Sequence, residues 1–182
     1  SNDGKIISVD YSKQNATSEY DGIYLRNTTL NHQINIEDYL NKQVQAFITA
    51  NKPTVLIYHT HTTETYELLD RDFYTSERNT RSNNSQENMV RVGEEICKVL
   101  EEKGYKTIHD KTVYDESVSG AYDRSRAKIS GILKDNPSIQ IVLDIHRDSI
   151  YQKDNSKVKT VTEIDGRKAA QIMLITGCED GN

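Results

Sequence analysis

Two short stretches concentrate the β-branched and aliphatic residues of the chain. Residues 54–58 (TVLIY) form a continuous apolar run, the pattern of a strand buried on both faces of a parallel sheet. Residues 139–145 (IQIVLDI) read as a second buried strand. Between them the period changes to helical. In residues 88–103, Met89, Val92, Ile96, Val99 and Leu100 fall on one stripe, and Gly104 stops the helix. Residues 105–108 give another strand. Residues 122–134 give a second helix with Ile129, Ile132 and Leu133 inward, ending before Asn136-Pro137.

The flanks are less regular. Residues 6–9 and 23–25 read as short strands. Residues 35–50 predict a helix, capped by Asn35 or Asn31, with Ile36, Tyr39, Leu40, Val44 and Phe47 at helical spacing; Lys52-Pro53 breaks it. Residues 157–164 and 171–176 predict a hairpin turning at Asp165-Gly166. Residues 62–86 are polar and aperiodic, and predict a long loop of the kind that often carries function. The alternation of strand and helix predicts an α/β fold: a mainly parallel central sheet, flanking helices and right-handed crossovers.

Composition narrows the reading. The chain has 182 residues, 35% apolar and 28% charged, enough for a folded core. A net charge of -5 without a dense basic patch argues against a nucleic-acid partner. Cys97 and Cys178 form no framework and read as free thiols. There is no apolar run of bilayer length and no signal peptide; Ser1-Asn2-Asp3 reads as a trimmed start from which an anchor has been removed.

The chemistry collects where the buried strands end. Ligands of open α/β sheets gather at the carboxyl ends of strands. His59 and His61 follow the first buried strand, and His146 follows the second. His61 and Glu64, three apart, can face one ion, and a distant His completes a catalytic zinc set with one position left for water. His59 and His61 would share a face on an extended backbone, so either could be the ligand; His61 is favoured because it lies next to Glu64. Asp144 could hold the second nitrogen of His146. Arg147 could stabilise an oxyanion or bind a substrate carboxylate, or simply pair with Asp148. Glu87 or Asn88 could supply the third ligand, although both are also ordinary helix-start residues. Arg124 and Arg126 could receive an anionic group or lie on a solvated helix face. His109, beside Asp110 and Lys111, reads as surface, and His32 lies outside these clusters.

Three segments in this order resemble the signature of the stage II sporulation protein P family. They are residues 55–66 (VLIYHTHTTETY), 88–93 (NMVRVG) and 145–148 (IHRD), with residues 136–139 before the second strand fitting as well. The resemblance implies the fold of the zinc N-acetylmuramoyl-L-alanine amidases, with residues 1–21 an extended N-terminal segment and 22–182 a catalytic domain lacking its C-terminal part. It implies a hydrolase that cuts the amide between muramic acid and the stem peptide, with endopeptidase activity on cross-links. It also implies a membrane-anchored, extracytoplasmic protein acting on septal peptidoglycan during engulfment, with stage II sporulation proteins D and M as partners. His61 and His146 match metal histidines and Glu64 an acidic position beside them, the third ligand being Glu64, Glu87 or Asn88. The general acid/base of the family is expected on a later strand, past the Gly177 region; Glu64 could serve only if it is not a ligand. Two readings of other kinds remain open: a metal-free scaffold or peptidoglycan-binding module of a septal complex, and a metallocarboxypeptidase-like enzyme.

Overall fold

The computed structural model describes residues 4–12, 14, 16–43, 51–76 and 79–176. In chain order its elements are β1 (Gly4–Val9), β2 (Ser18–Tyr20), β3 (Ile23–Leu25), α1 (Ile36–Leu40), β4 (Val55–Tyr58), β5 (Phe73–Tyr74), α2 (Met89–Glu102), β6 (Thr107–His109), α3 (Ala121–Asp135), β7 (Ile141–Asp144), β8 (Ile150–Tyr151), β9 (Lys157–Ile164) and β10 (Arg167–Ala170). They form two compact units, one from the described parts of residues 1–45, 72–74 and 149–182, the other from those of 46–71 and 75–148. The fold is α/β, and among the described residues the all-parallel sheet lies in the second unit.

In the first unit the sheet runs β10-β9-β1-β5, with β8 also on β9. β1 and β9 pair in parallel, and the other pairings are antiparallel, so this sheet is mixed. Asp165 and Gly166 both have positive φ (51° and 72°), as a two-residue turn matched to strand twist requires. Such a turn pairs the residues that flank it, so Ile164 faces Arg167 and the return strand is β10, not residues 171–176. Ile172, Met173, Leu174 and Ile175 are instead exposed. α1 is capped by Asn35, whose side chain accepts from Glu37 N–H at 3.2 Å, and ends at Leu40; residues 41–43 are not helical, and 44–50 of the expected span lie outside the described residues. Val44 and Phe47 lie outside the described residues, as does Cys178.

In the second unit β4 lies between β6 and β7, parallel to both, in the order β6-β4-β7. Val55, Leu56 and Ile57 are at most 1% exposed, as a central strand covered on both faces demands. Each such side chain contributes about 1.5–3 kcal/mol by leaving water. β7 departs from the expectation of a second buried strand: Ile141 and Val142 are 37% and 41% exposed, on a strand that lies at one edge of this sheet.

α2 packs on β4 and β6. Asn88 caps it, its side chain accepting from Val90 N–H at 3.0 Å, and Gly104 (φ 89°) ends it. Its most buried residues are Met89, Val90, Gly93 and Cys97, while Val99 is 48% exposed, so the inward stripe is rotated from the one the aliphatic spacing predicts. Cys97 joins Val55 and Ile57 in the core, with Leu143 and Ile145 against them, and is a free thiol. In α3 the buried residues are Ala121, Ser125 and Ile129, with Ile132 and Leu133 half-buried.

Gly93 sits at the centre of that rotated stripe for a steric reason. His59, fully buried just beyond β4, places its Nε2 2.9 Å from Nε2 of His109. A Cβ at Gly93 would lie 2.5 Å from His109 Nε2 and 2.7 Å from His59 Nε2. His109 is therefore half-buried against His59 and not a surface residue; the register Ile57↔His109 carries it there. His59 Nδ1 lies 3.0 Å from the Ile145 carbonyl, which only accepts, so Nδ1 carries the proton. The neutral ring then accepts at Nε2, and His109 donates.

Burial lowers the pKa of both rings, His109 to about 4, where His59 and Lys111 add to the effect. An unfolded histidine takes up a proton near 6.5, whereas the folded His109 resists until about 4. Below 6.5 the unfolded chain thus binds more protons, and stability must fall as pH drops through that window. Urea unfolding at pH 7, 6 and 5 is expected to show this fall, and His109→Gln, which keeps a donor but does not titrate, to flatten it. Gly93→Ala is expected to destabilise the fold by about 1–3 kcal/mol, the usual cost of overpacking, despite the better helix propensity of alanine; an unchanged urea midpoint would contradict the packing described.

Candidate active site

The chain leaves β4 at Tyr58 and turns at once. Thr62 Oγ1 donates to the His59 carbonyl at 2.7 Å, and Glu64 N–H donates to the His61 carbonyl at 3.1 Å. This turn separates the two histidines that an extended backbone would put on one face: His59 enters the core, and His61 does not. Thr60, between them, is tied to the end of β7. Its N–H and Oγ1 donate to Asp144 at 2.8 and 2.7 Å. Ser125 of α3 meets the same hydroxyl at 2.8 Å.

Two residues past Asp144, His146 comes to His61. The rings are 5.3 Å apart between centroids and inclined by 69°. Tyr122, in the first turn of α3, stands edge-on to His61 at 5.4 Å and stacks with His146 at 6.3 Å. His146 Nε2 donates to Asp144 Oδ1 at 3.0 Å, and its Nδ1 lies 3.8 Å from Glu64 Oε2. His61 Nδ1 is buried and has no hydrogen-bond partner among the described residues.

The site is strongly polarised. The Asp144 and Glu64 carboxylates raise the pKa of His146 to about 9 against the opposing effect of burial. Burial pushes the Glu64 carboxyl up, but His146 and Arg147 outweigh it and hold it below its ordinary value. Asp144 behaves alike: burial raises it, and the His146 and Thr60 hydrogen bonds more than offset that.

Glu64 is presented by the base of the long loop. Isolated bridges pair Glu64 with Arg81 and Thr65 with Asn88, and Ser82 N–H donates to the Thr63 carbonyl at 2.7 Å. Arg147 N–H donates to Glu64 Oε2 at 3.3 Å. The Arg147 guanidinium lies on loop carbonyls, giving Nε to Thr65 O at 3.0 Å and Nη2 to Thr80 O at 3.2 Å.

Of the residues singled out in the sequence, the structure brings together His61, His146, Glu64, Asp144 and Arg147. It does not bring in Glu87, which is exposed and accepts from Asn84 Nδ2 at 3.2 Å. Asn88 is occupied as a cap and by its Nδ2 donation to Ser82 O at 3.0 Å. Arg124 clamps the loop before α3 through the carbonyls of Tyr114, Ser117 and Ser119; Arg126 is exposed. Sequence reasoning missed Tyr122, and Arg81 with Asp115, because only tertiary contacts connect Tyr122 to the histidines and Arg81 with Asp115 to Glu64. His61, His146 and Glu64 are the groups here that could serve as metal donors. As the side chains stand, no group of three or more His, Cys, Asp and Glu among the described residues has metal-holding geometry. Among those residues, too, no helix is long and apolar enough to cross a membrane.

Comparison with known proteins gives the context of this site. The sequence model of the family "Stage II sporulation protein P" matches residues 5–182. The stage II sporulation protein P of Bacillus subtilis (strain 168) is 30% identical over 141 residues, covering 74% of this chain and 33% of that protein. The chain thus spans about a third of the length of this relative. No solved structure matches it. The match over nearly the whole sequence, together with a relative of that name, establishes that the chain belongs to the stage II sporulation protein P family, a family of sporulation proteins.

Proposed function

We propose that the chain is a zinc-dependent peptidoglycan hydrolase of sporulation. It cuts the amide between N-acetylmuramic acid and the L-alanine of the stem peptide, with peptide cross-links as further substrates. The observation that carries this reading is the buried His61 Nδ1, without a hydrogen-bond partner among the described residues, beside His146 and Glu64. An unsatisfied buried nitrogen is costly unless something else engages it. Two imidazoles and a carboxylate are a donor set that suits zinc and leaves a coordination position open.

In this reading His61, His146 and Glu64 would hold the ion, with His146 Nδ1 and Glu64 Oε2 facing each other at 3.8 Å. Zinc supplies Lewis acidity to water and to the scissile carbonyl. Asp144 takes the Nε2 proton of His146 as a hydrogen bond, which fixes the tautomer and leaves Nδ1 for the ion. Thr60 fixes Asp144 in turn. The Arg147 N–H orients Glu64, while its guanidinium holds the loop carbonyls on either side. The leaving amine needs a proton from a positioned carboxylate. Glu64 can be that donor only if it is not a ligand. The proposal extends to the whole protein: an amidase-like fold, a membrane anchor, an extracytoplasmic place at the sporulation septum, and stage II sporulation proteins D and M as partners.

A second reading is a metal-free scaffold or peptidoglycan-binding module of a septal complex. Calorimetric zinc titration separates the two. The hydrolase reading expects one equivalent of zinc per chain. It expects His61→Ala or His146→Ala to weaken binding by more than about 100-fold, beyond the usual loss from an outer-shell change, and to abolish stem-peptide release. Hydrolysis that survives chelation would defeat it. Glu64→Gln sorts the two roles of that residue: a ligand variant loses zinc, whereas a proton-carrier variant keeps zinc and loses only turnover.

A further inference from the structure

The carboxylate of Asp115 has no part in the scheme above, yet its side chain is 0% exposed. Burying an ionised carboxylate is costly unless it is paired and fully hydrogen-bonded. Asp115 meets that condition in one place. It accepts from Thr63 N–H at 3.1 and 3.3 Å and from Thr63 Oγ1 at 2.7 Å, and it forms an ion pair with Nη1 of Arg81. The same Nη1 donates to Thr63 Oγ1 at 3.2 Å. The other terminal nitrogen of Arg81, Nη2, lies 3.7 Å from Glu64 Oε1. A line of charge therefore runs from buried Asp115 through Arg81 to the carboxylate at the site.

Anchoring Thr63 does not require this charge, since a neutral asparagine offers an oxygen to the same N–H. The charge matters to Arg81. A guanidinium beside Glu64 would repel any cation held there, but one already neutralised by Asp115 can direct its N–H groups without adding net positive charge. With Oε1 drawn to Arg81, Oε2 is the oxygen left facing His146 Nδ1 and Arg147 N–H. We propose that Asp115 is a positioning residue for Glu64: it fixes and neutralises Arg81, which turns Oε2 of Glu64 toward His146 as a metal donor. The inference rests on the proposed role of Glu64 as a ligand.

The test is zinc affinity of the chain, measured by competition with a chromophoric chelator, for Asp115→Asn, Arg81→Gln and the double variant. Arg81→Gln is expected to weaken zinc about tenfold, as loss of an outer-shell partner does. Asp115→Asn is expected to weaken it further, because it leaves an unneutralised guanidinium beside the ion. The double variant is expected to recover to the level of Arg81→Gln alone. A purely structural role through Thr63 predicts instead that the double variant binds as weakly as Asp115→Asn, and that result overturns the proposal. So does binding within twofold of wild type by Arg81→Gln and Asp115→Asn. If Asp115→Asn does not fold, the half-exposed Arg81 carries the test: Arg81→Lys, which keeps the charge but loses the fork, and Arg81→Gln must both weaken zinc. Wild-type affinity in both overturns the proposal. A wild-type chain that takes up no stoichiometric zinc refutes the metal reading itself, and this inference with it; a wild-type chain that binds zinc alongside unaffected variants refutes this inference alone.

Discussion

Asp144 closes the end of the parallel sheet, and the candidate site hangs from that closure. β4 and β7 run side by side with Tyr58 opposite Asp144, so the chain leaves both strands at the same level. Nothing in a parallel ladder dictates what the departing segments do next. Asp144 accepts from Thr60 N–H, Thr60 Oγ1 and His146 Nε2, and so joins the two segments immediately past the strands. Hydrogen bonds to a charged group contribute about 1.5–3 kcal/mol each, and leaving the N–H of the fully buried Thr60 unpaired would cost a comparable amount. The residues that follow zip in the same order. Ile145 offers its carbonyl to His59, and His146 reaches Glu64 and His61. One strand end thus assigns a partner to each residue of the other.

That assignment splits four histidines into two pairs with opposite electrostatics. His59 and His109 meet nitrogen to nitrogen at 2.9 Å; burial lowers the pKa of both against the opposing pull of Asp110, and His109 is pushed down to about 4. His146 lies between Asp144 and Glu64 and is pushed up to about 9. Both nitrogens of His59 are engaged by protein groups, whereas His61 keeps a buried nitrogen without one among the described residues. The first pair therefore acts as core, packed over Gly93, and the second is the one with donors to offer. Residue type alone does not distinguish them; the partners do.

This explains what could be read from the sequence. Residues 54–58 were legible as a doubly buried strand because such a run has few other solutions. The meeting of His61, Glu64 and His146 was legible because parallel strands deliver their carboxyl ends to one edge. Strand order was not legible, and two departures follow from it. His109, flanked by Asp110 and Lys111, looks solvated until β6 is placed next to β4. Ile141 and Val142 look buried until β7 is placed at the edge. The inward face of α2 was displaced because the aliphatic spacing gives no weight to Gly93, whose lack of a side chain makes room for two imidazoles. The return strand of the hairpin lies at Arg167–Ala170 and not in the more hydrophobic 171–176, because the turn fixes which residues pair.

The same logic bears on the acidic partner of the histidines. A helix start is a natural source of such a group, and Glu87-Asn88 lies just ahead of α2. But the helix makes its own demand there. Its first N–H groups need an acceptor, and Asn88 meets that need with one end of its amide while the other end holds Ser82. Asn88 also bridges to Thr65, so the cap fixes the base of the loop next to Glu64. Glu87, one residue earlier, is left exposed on the outer side of that turn. Capping the helix and presenting the carboxylate are thus divided between two segments. Asn88 holds the loop closed, and the closed loop, through Arg81, Thr65 and Arg147, holds Glu64 against His146.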